Sequence, residues 1–372
     1  MKKHLIFTKL FDTGGSNSSL RSLVKVLGAE NVLLIVEDSN EISFIDDIDP
    51  SGRLQTKVFK NLHGYAHLEY RLISNVKEFL KILWSLIRVI FLCARWRTST
   101  ITVSSVEPEK FLYFFWLPFL RVNYTLHTVP ERKYTAFTSS TCNFRLGNQK
   151  KIIVVSHFMK NTIIKAWDIK KQREQSIIVI YNCIDKLPVI KTPYYNKERN
   201  RTVVSVGRLD NNKNPDTWLK VAQTITAKHQ NISFIWIGNG DGQNTYTNRS
   251  KNQEDIKFIG FQAYPENWLK EAFIYYQPSK MESHGIAVVE AMSWGLPCIV
   301  SNRGGLSESV TNQYNGFLVE PLDVDSHIIA IEELLQDNGK ATEMGDNSKK
   351  RFNELYTYPI FKEKIQALYA IN

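Results

Sequence analysis

The stretch from Gln277 to Gly305, QPSKMESHGIAVVEAMSWGLPCIVSNRGG, decides the fold of this chain. The residues just before it, Ile274 to Tyr276, are apolar and predict a short strand. Gly285 then opens a run of isoleucine, alanine, valine and methionine residues that predicts a helix, and Gly295 ends it. Cys298 to Val300 predict the next strand. Strand, loop, helix and strand in this order are typical of a parallel α/β sheet.

Two carboxylates in this stretch, Glu282 and Glu290, stand eight residues apart. Glu290 lies in an otherwise apolar helical run, where a charge needs a partner. At the helical rise of about 1.5 Å per residue, the spacing corresponds to about 12 Å, which matches the reach from the ribose to the hexose of a nucleotide sugar. The helix start at His284 to Ala287 offers unpaired N–H groups to a diphosphate. Either glutamate alone would be read as an ordinary solvated residue.

The run from Glu282 to Glu290 resembles the E-x7-E signature of retaining glycosyltransferases of family 4, in which a phenylalanine usually stands where this chain has His284. The resemblance implies the GT-B fold, an α/β architecture of two doubly wound Rossmann-like domains that face an interdomain cleft. It also implies that the residues between and beside the carboxylates contact the donor. They are Ser283, His284, Gly285 and Ile286.

The length of 372 residues predicts two domains, since single cores rarely grow beyond about 250–300 residues. We expect an N-terminal acceptor-side domain over residues 1–184 and a nucleotide-sugar-binding domain over residues 185–357. A helical pattern runs from Ala341 to Ala370. Its last part, residues 358–372, is expected to pack back on the first domain, as in similar GT-B proteins.

Composition and cysteine usage favour a globular protein of a reducing compartment. Apolar residues make up 43% of the chain and charged residues 23%. The four cysteines show no C-x-x-C pairing, so neither a disulfide framework nor a zinc site is indicated. No apolar run is long enough for a signal peptide or a spanning helix. We therefore expect a cytoplasmic protein.

The positive charge lies in the first half. Residues 1–184 hold 26 Lys and Arg against 15 Asp and Glu, a net charge of +11, whereas the remaining residues hold 21 against 22. This asymmetry points to an anionic partner such as a membrane surface, a lipid phosphate or nucleic acid, or simply to a solvated basic surface.

Two apolar segments of the first half also carry basic residues. Val76 to Trp96 predicts a helix that either crosses over the sheet or lies in a membrane surface. Lys110 to Arg121 has the same aromatic and basic character. Their aromatic residues Trp84, Trp96, Phe115 and Trp116 are expected to be exposed, beside basic residues such as Lys77, Lys81 and Arg88.

The first domain offers two candidate contacts with a ligand. Gly14 and Gly15 follow the predicted strand His4–Thr8, and His127 follows the predicted strand Val122–Leu126. Ligands of open α/β sheets gather at that carboxyl edge. The resemblance implies that the glycine loop faces the cleft and that His127 lies near the donor sugar.

A metal site is not expected. His63 and His67 stand four apart with Glu69 nearby, but they lack an H-E-x-x-H pattern and a third well-placed ligand. The loop from Thr128 to Gln149, with Glu131, Arg132 and Lys133, is a candidate acceptor contact.

The second domain opens with a predicted strand that ends at Gly207, followed by the cations Arg208 and Lys213. Two cations at a glycine turn before a helix are a plausible clamp for a diphosphate. The segment resembles the family's G-R-L…K-N motif, whose arginine and lysine bind the donor phosphates. Gly238, which opens GNGDG, and Ile259, in KFIGFQ, are likewise expected at the donor.

Together these features predict a retaining, metal-independent glycosyltransferase without an organic cofactor. It would move a sugar from a nucleotide-diphosphate donor to a glycan or lipid-linked acceptor in bacterial surface polysaccharide synthesis (lipopolysaccharide, O-antigen or capsule). Arg208 and Lys213 would neutralise the leaving diphosphate. Glu282 and His127 would contact the sugar, and Glu290 the ribose.

We expect peripheral contact with the anionic inner membrane and no nucleic-acid partner. Two alternatives stay open at this point: another activity of the same architecture, either sugar-nucleotide epimerisation or glycan phosphorolysis, or a catalytically dead protein that binds membrane or nucleic acid.

Overall fold

Two parallel sheets, each covered by helices, make up the protein. The structure is a computed structural model that describes residues 2–8, 15–59, 76–104, 108–128, 136–185 and 201–370. It divides the chain into one unit of residues 1–182 with 358–372 and a second unit of residues 183–357. Several residues named above lie outside the described part: Gly14, His63, His67, Glu69, Glu131, Arg132 and Lys133.

The first unit contains a seven-stranded parallel sheet in the order β3-β2-β1-β4-β5-β6-β7. Its strands are β1 Lys3–Thr8, β2 Val32–Val36, β3 Gln55–Val58, β4 Thr98–Ser104, β5 Arg121–Leu126, β6 Lys150–Val154 and β7 Ile177–Val179. Most of these strands are buried on both faces, and the clearest apolar run among them is β2, with the sequence VLLIV. The chain order reverses between β1 and β4, so the crevice for a ligand is expected at the carboxyl ends of these two strands.

The helices of the first unit connect these strands. They are α1 Gly15–Leu27, α2 Ile45–Ile48, α3 Val76–Trp96, α4 Ala136–Arg145, α5 His157–Ala166 and, from the end of the chain, α13 Tyr358–Tyr369. Among the helices that the structure describes, none combines the length and apolar character needed to cross a bilayer.

Helix α3 is a crossover helix with two different faces. Val89, Leu92 and Cys93 are buried in the core of the first unit. Arg88, expected at a membrane surface, places its guanidinium 4.1 Å from the ring centroid of Phe59. The helix therefore has one face in the core of the first unit. Trp96, which was expected to be exposed, is half-buried against that core.

The aromatic residues of the segment from Lys110 to Arg121 are only partly exposed, so the prediction of exposure is wrong for Phe115 and right for Trp116. A 3₁₀ helix, Pro108–Trp116, occupies most of it, and Phe115 is fully buried although it was expected to be exposed. The reason is packing, because consecutive aromatic rings fill the space between sheet and helices. The ring of Phe114 lies 5.0 Å from that of Phe7, and the ring of Phe115 lies 5.9 Å from that of Tyr124.

The C-terminal helical pattern is two helices rather than one. Helix α12, Asn338–Leu355, belongs to the second unit, and α13 belongs to the first. Pro359 lies in the first turn of α13, where proline is tolerated, whereas inside a continuous helix it would break the hydrogen-bond ladder. The hydroxyl of Tyr369 lies 2.6 Å from the hydroxyl of Thr102, which ties α13 to β4.

The second unit contains a six-stranded parallel sheet in the order β10-β9-β8-β11-β12-β13. Its strands are β8 Arg201–Val206, β9 Ile232–Ile237, β10 Ile256–Phe258, β11 Ile274–Gln277, β12 Cys298–Ser301 and β13 Gly316–Val319. Its other helices are α6 Pro215–Lys228, α7 Gln243–Arg249, α8 Glu266–Leu269, α9 Ile286–Ser293, α10 Leu306–Ser309 and α11 Val324–Gln336. The strand, helix and strand predicted around Gly285 are confirmed as β11, α9 and β12.

Candidate functional site

Two loops at the carboxyl edge of the second sheet form the candidate site. Residues 207–214 follow β8, and residues 278–285 follow β11. These strands are hydrogen-bonded neighbours that are not consecutive in the chain, so the loops lie at the switch point where such sheets bind ligands. Asn212 joins the loops, because its carbonyl accepts from the Lys280 N–H at 2.7 Å and its amide donates to the Met281 carbonyl at 2.7 Å.

One oxygen of Glu282 is the centre of the site. Its Oε1 accepts hydrogen bonds from Lys213 Nζ at 2.5 Å, Gln277 Nε2 at 3.0 Å and Ser279 Oγ at 3.1 Å. The Glu282 side chain is 14% exposed and that of Lys213 is 19% exposed, so the ion pair is largely shielded from water. Charge-assisted hydrogen bonds in such a setting are short and strong.

Gln277 is itself oriented from the core of the unit. The Tyr275 hydroxyl donates to Gln277 Oε1 at 2.5 Å, which turns the amide nitrogen toward Ser279 and Glu282. Burial, followed by the nearby Cys298 and Glu282, raises the pKa of Tyr275 well above its ordinary value. Tyr275 therefore stays protonated and donates.

The backbone that carries Glu282 packs against the glycine pair Gly304 and Gly305. Gly305 N–H donates to the Glu282 carbonyl at 2.8 Å. A Cβ at Gly304, where φ is +64°, would lie 2.1 Å from that carbonyl oxygen, and one at Gly305 would lie 2.3 Å from the carbonyl oxygen of Ser283. Only glycine allows this close approach. The turn after β12 therefore fixes the position of the backbone at Glu282 and Ser283.

The loop after β8 is supported in the same way by Gly238. A Cβ there, at φ +133°, would lie 2.2 Å from the carbonyl oxygen of Gly207, which also accepts from the Trp236 indole N–H at 2.8 Å. On the other side of β9, the N–H of Ile259 donates to the Trp236 carbonyl at 3.0 Å. Gly238 directly follows β9, beside the loop that carries Arg208, and Ile259 directly follows β10, one strand further out in the sheet.

Arg208 and Lys213 are linked through Asp210. Arg208 Nε donates to Asp210 Oδ2 at 3.0 Å, and the Lys213 N–H donates to Asp210 Oδ1 at 3.0 Å. Arg208 is 77% exposed, in contrast to Lys213. The bond to Asp210 engages Nε, and the guanidinium carries two further NH₂ groups that can bind an anion.

Glu290 lies on α9, where its half-buried position contrasts with Val288, Val289 and Met292, which are fully buried. The helix begins at Ile286 with Gly285 as its N-cap, so half of the spacing from Glu282 to Glu290 lies in a loop. The helical rise does not apply to that half, and the 12 Å derived from it is wrong as a measure of the separation.

His284 packs inside the unit. Its side chain is 2% exposed, and its ring centroid lies 5.5 Å from that of Tyr356 at the end of α12. Burial lowers the pKa of His284 to about 3, so the ring is neutral at physiological pH. A ligand at this loop would meet the backbone of His284 rather than its ring. Ser283, beside it, is half-buried.

The candidate residues of the first unit lie at the carboxyl edge of its sheet. Gly15 is the first residue of α1, which follows β1. His127 follows β5, and its Nε2 lies 3.1 Å from the hydroxyl of Ser104 at the end of β4. Burial lowers the pKa of His127 to about 4, so it too is neutral at physiological pH.

Sequence reasoning assigned no role to Gln277, Ser279 or Tyr275. The available signal was the position of Gln277, a polar residue that closes the apolar strand β11 at the sheet edge where ligands bind. Which donors reach Glu282 depends on side-chain direction, and residue types alone do not specify it.

The part of the chain that matches a known protein family contains the candidate site. The family model of the glycosyl transferases group 1 matches residues 190–351, which contain Lys213, Glu282 and Glu290. Residues 190–351 of this chain are therefore similar to the glycosyl transferases group 1. Both loops of the candidate site lie within the matched range, and the resemblance seen in the E-x7-E run is confirmed at the level of this family match.

Two curated relatives are similar to this chain over part of its length. An uncharacterized glycosyltransferase of Haemophilus influenzae is 28% identical over 221 residues, which cover 58% of each chain. The UDP-Gal:alpha-D-GlcNAc-diphosphoundecaprenol alpha-1,3-galactosyltransferase of Escherichia coli is 33% identical over 138 residues, or 36% of each chain. This chain thus matches little more than half the length of the first relative and about a third of the second.

The fold is shared over the whole chain. The crystal structure of Anabaena HepE in complex with UDP aligns with a TM-score of 0.78 at 17% identity and covers 100% of both chains. The predicted α/β fold class, GT-B, is confirmed. Among the residues that the structure describes, no group of three or more His, Cys, Asp or Glu side chains is placed to hold a metal ion.

Burial of His284 predicts a specific pH dependence of stability. The unfolded chain binds a proton at this histidine below about pH 6.5, whereas the folded domain resists protonation down to about pH 3. Stability is therefore fully present above pH 6.5 and falls as the pH falls through this window. The variant His284→Phe lacks this contribution. Between pH 7.5 and pH 5 its Tm should therefore fall by about 4 °C less than the Tm of the wild-type protein. Calorimetry at both pH values measures it, and parallel Tm curves for the two proteins would contradict the burial argument.

Proposed function

We propose that the protein is a retaining, metal-independent glycosyltransferase of family 4 that takes its sugar from a nucleotide-diphosphate donor. The observation that carries the proposal is the shielded contact between Lys213 and Glu282 at the switch point of the second sheet. The HepE structure of the same fold holds UDP, and the E. coli relative is named for a UDP-galactose donor. Both support a nucleotide sugar as the substrate of this chain.

Lys213 would contact both the diphosphate of the donor and Glu282, the residue that would position the sugar. An ammonium group has three N–H donors, and the bond to Glu282 uses one of them. The other two can bind the diphosphate, together with the NH₂ groups of Arg208 and the N–H groups at the start of α9. Fixed positive groups of this kind stabilise the charge that develops on the leaving diphosphate, which is the role a metal ion has in other enzymes.

Glu282 would position the sugar. Its three hydrogen bonds all fall on Oε1, and Oε2 takes part in none of those three. A carboxylate held in this way presents a fixed acceptor for the hydroxyl groups of a hexose. Glu290 would accept from the ribose, and His127, as a neutral imidazole, would contact the sugar from the first unit. The leaving phosphate would take the proton of the acceptor hydroxyl, which accounts for retention without a protein nucleophile.

The acceptor we propose is a glycan or a lipid-linked saccharide of bacterial surface polysaccharide synthesis. The E. coli relative supports this class, because its name gives a sugar on diphosphoundecaprenol as the acceptor. Its match is confined to 36% of this chain, so the acceptor is assigned by analogy with that relative rather than from contacts of this molecule.

The roles of Glu282 and Lys213 predict different kinetic losses. Glu282→Gln keeps the shape but loses the charge that orients the sugar, so kcat should fall by about 100-fold or more while the Kd for UDP changes only a few-fold. Lys213→Ala and Arg208→Ala should each cost about 2–4 kcal/mol of transition-state stabilisation, and Lys213→Ala should also weaken UDP binding.

The matched control is Glu332→Gln, which removes a carboxylate that pairs with Lys228 at 3.2 Å on the surface of the same unit. It should leave kcat and UDP affinity unchanged. Turnover with a panel of nucleotide sugars and calorimetric UDP titration measure the two effects. If Glu282→Gln abolished UDP binding and spared turnover, the assigned roles would be wrong.

The proposed mechanism also predicts metal independence and retention. Because Lys213, Arg208 and the start of α9 neutralise the diphosphate, activity should be unchanged in excess chelator. The anomeric configuration of the transferred sugar should be the same in product and donor, which proton NMR of the product determines. Restoration of activity by manganese after chelation, or an inverted product, would contradict the mechanism.

A further inference from the structure

Exposed apolar side chains are concentrated on helix α3. Among the described residues, 15 large apolar or aromatic side chains are exposed, and six of them lie on this one helix. The six are Leu80, Leu83, Trp84, Ile87, Ile90 and Phe91, which we call the α3 stripe. The most exposed are Phe91 at 71% and Trp84 at 62%. Isolated apolar residues on a surface need no explanation, but a contiguous group of this size does.

The α3 stripe lies opposite the core face of the helix. Its members recur at intervals of three, four and seven residues, which places them along one side of an α-helix. The buried residues Ser85, Val89, Leu92 and Cys93 have the same periodicity on the other side. The stripe covers twelve residues, about 16 Å at 1.5 Å per residue. Helix α3 therefore presents a continuous apolar surface to the outside of the first unit.

The charge around the α3 stripe is positive. The sequence of α3 contains four basic residues and one acidic residue. The basic positions 77, 81 and 95 lie along one flank of the helix, because they are separated by four and fourteen residues. The fourth basic residue, Arg88, instead lies over the ring of the buried Phe59. Arg95 is exposed beside the stripe, and Arg97, just after the helix, is exposed as well.

We propose that helix α3 lies in the surface of an anionic lipid bilayer, with the α3 stripe among the acyl chains and the basic flank at the headgroups. An apolar face that contains tryptophan and phenylalanine, bordered by lysine and arginine, is the composition of an interfacial helix. Anionic headgroups complement the basic flank. A second copy of this chain would instead bring a like-charged flank against it.

The basic flank and the α3 stripe predict different effects of salt on membrane binding. Attraction between the basic flank and anionic lipid is screened as ionic strength rises. Insertion of the α3 stripe does not depend on charge, so a substantial part of the binding should persist at high salt. A surface that bound by charge alone would release completely. The inference goes beyond the proposed function, because it concerns attachment and does not require turnover.

The test is flotation of the full chain with vesicles of phosphatidylcholine alone or of equal parts phosphatidylcholine and phosphatidylglycerol. We expect binding to be at least about tenfold stronger to the anionic vesicles. The variant Trp84→Ser/Phe91→Ser should lose at least about tenfold of that binding, because it removes the two most exposed side chains of the α3 stripe. The matched control is Ile329→Ser, a helical residue of the second unit that is 62% exposed, and its binding should be unchanged.

A second readout reports on Trp84 directly. If the α3 stripe enters the acyl region, brominated lipid should quench part of the tryptophan fluorescence, and Trp84→Phe should lose that part while it retains vesicle binding. Both variants alter exposed side chains only, so UDP affinity should be unchanged in each. This separates failure of the membrane proposal from failure of the proposed function.

Three outcomes would overturn the proposal. They are no binding of the wild-type chain to anionic vesicles, equal binding of the wild type and Trp84→Ser/Phe91→Ser, and release that is complete at high salt. Light scattering adds a fourth: a dimer that becomes a monomer in the Trp84→Ser/Phe91→Ser variant, without vesicle binding, would assign the α3 stripe to a second copy of the chain.

Discussion

The candidate site depends on the contact between Lys213 Nζ and Glu282 Oε1, 2.5 Å apart. Each of the two residues comes from a different loop, so the contact forms only because β8 and β11 are neighbours in the sheet. A largely shielded carboxylate next to an ammonium group is costly to separate, since either charge alone would be poorly solvated. The same contact places the group that would hold a sugar next to a group that would hold a phosphate.

The rest of the domain holds that contact in position. Tyr275 orients Gln277, Gln277 donates to Glu282, and Gly304 lets the main chain approach the Glu282 carbonyl closely. These groups act through packing and hydrogen bonds and need not touch a substrate. Sites with this kind of support are preorganised, which is what electrostatic stabilisation of a leaving group requires.

The sequence was most informative where local pattern and tertiary packing agree. Strand β11, helix α9 and strand β12 follow directly from an apolar run, a glycine and a proline, and α3 begins and ends at its predicted residues, Val76 and Trp96. The predictions that failed concern the burial of individual side chains. Phe115 is buried because it packs against neighbouring aromatic rings. The sequence around His284 gave no sign that its ring is buried. Periodicity gives the faces of an element, but it does not say which polar groups meet across two loops.

The most direct test of the account is a crystal structure of the protein with bound UDP. The account predicts diphosphate oxygens within about 3 Å of Lys213 Nζ and of the Arg208 guanidinium, with the contact between Lys213 and Glu282 preserved. It also predicts the ribose near Glu290. A diphosphate bound away from both cations, or a Lys213 side chain turned away from Glu282 and the phosphates, would contradict it.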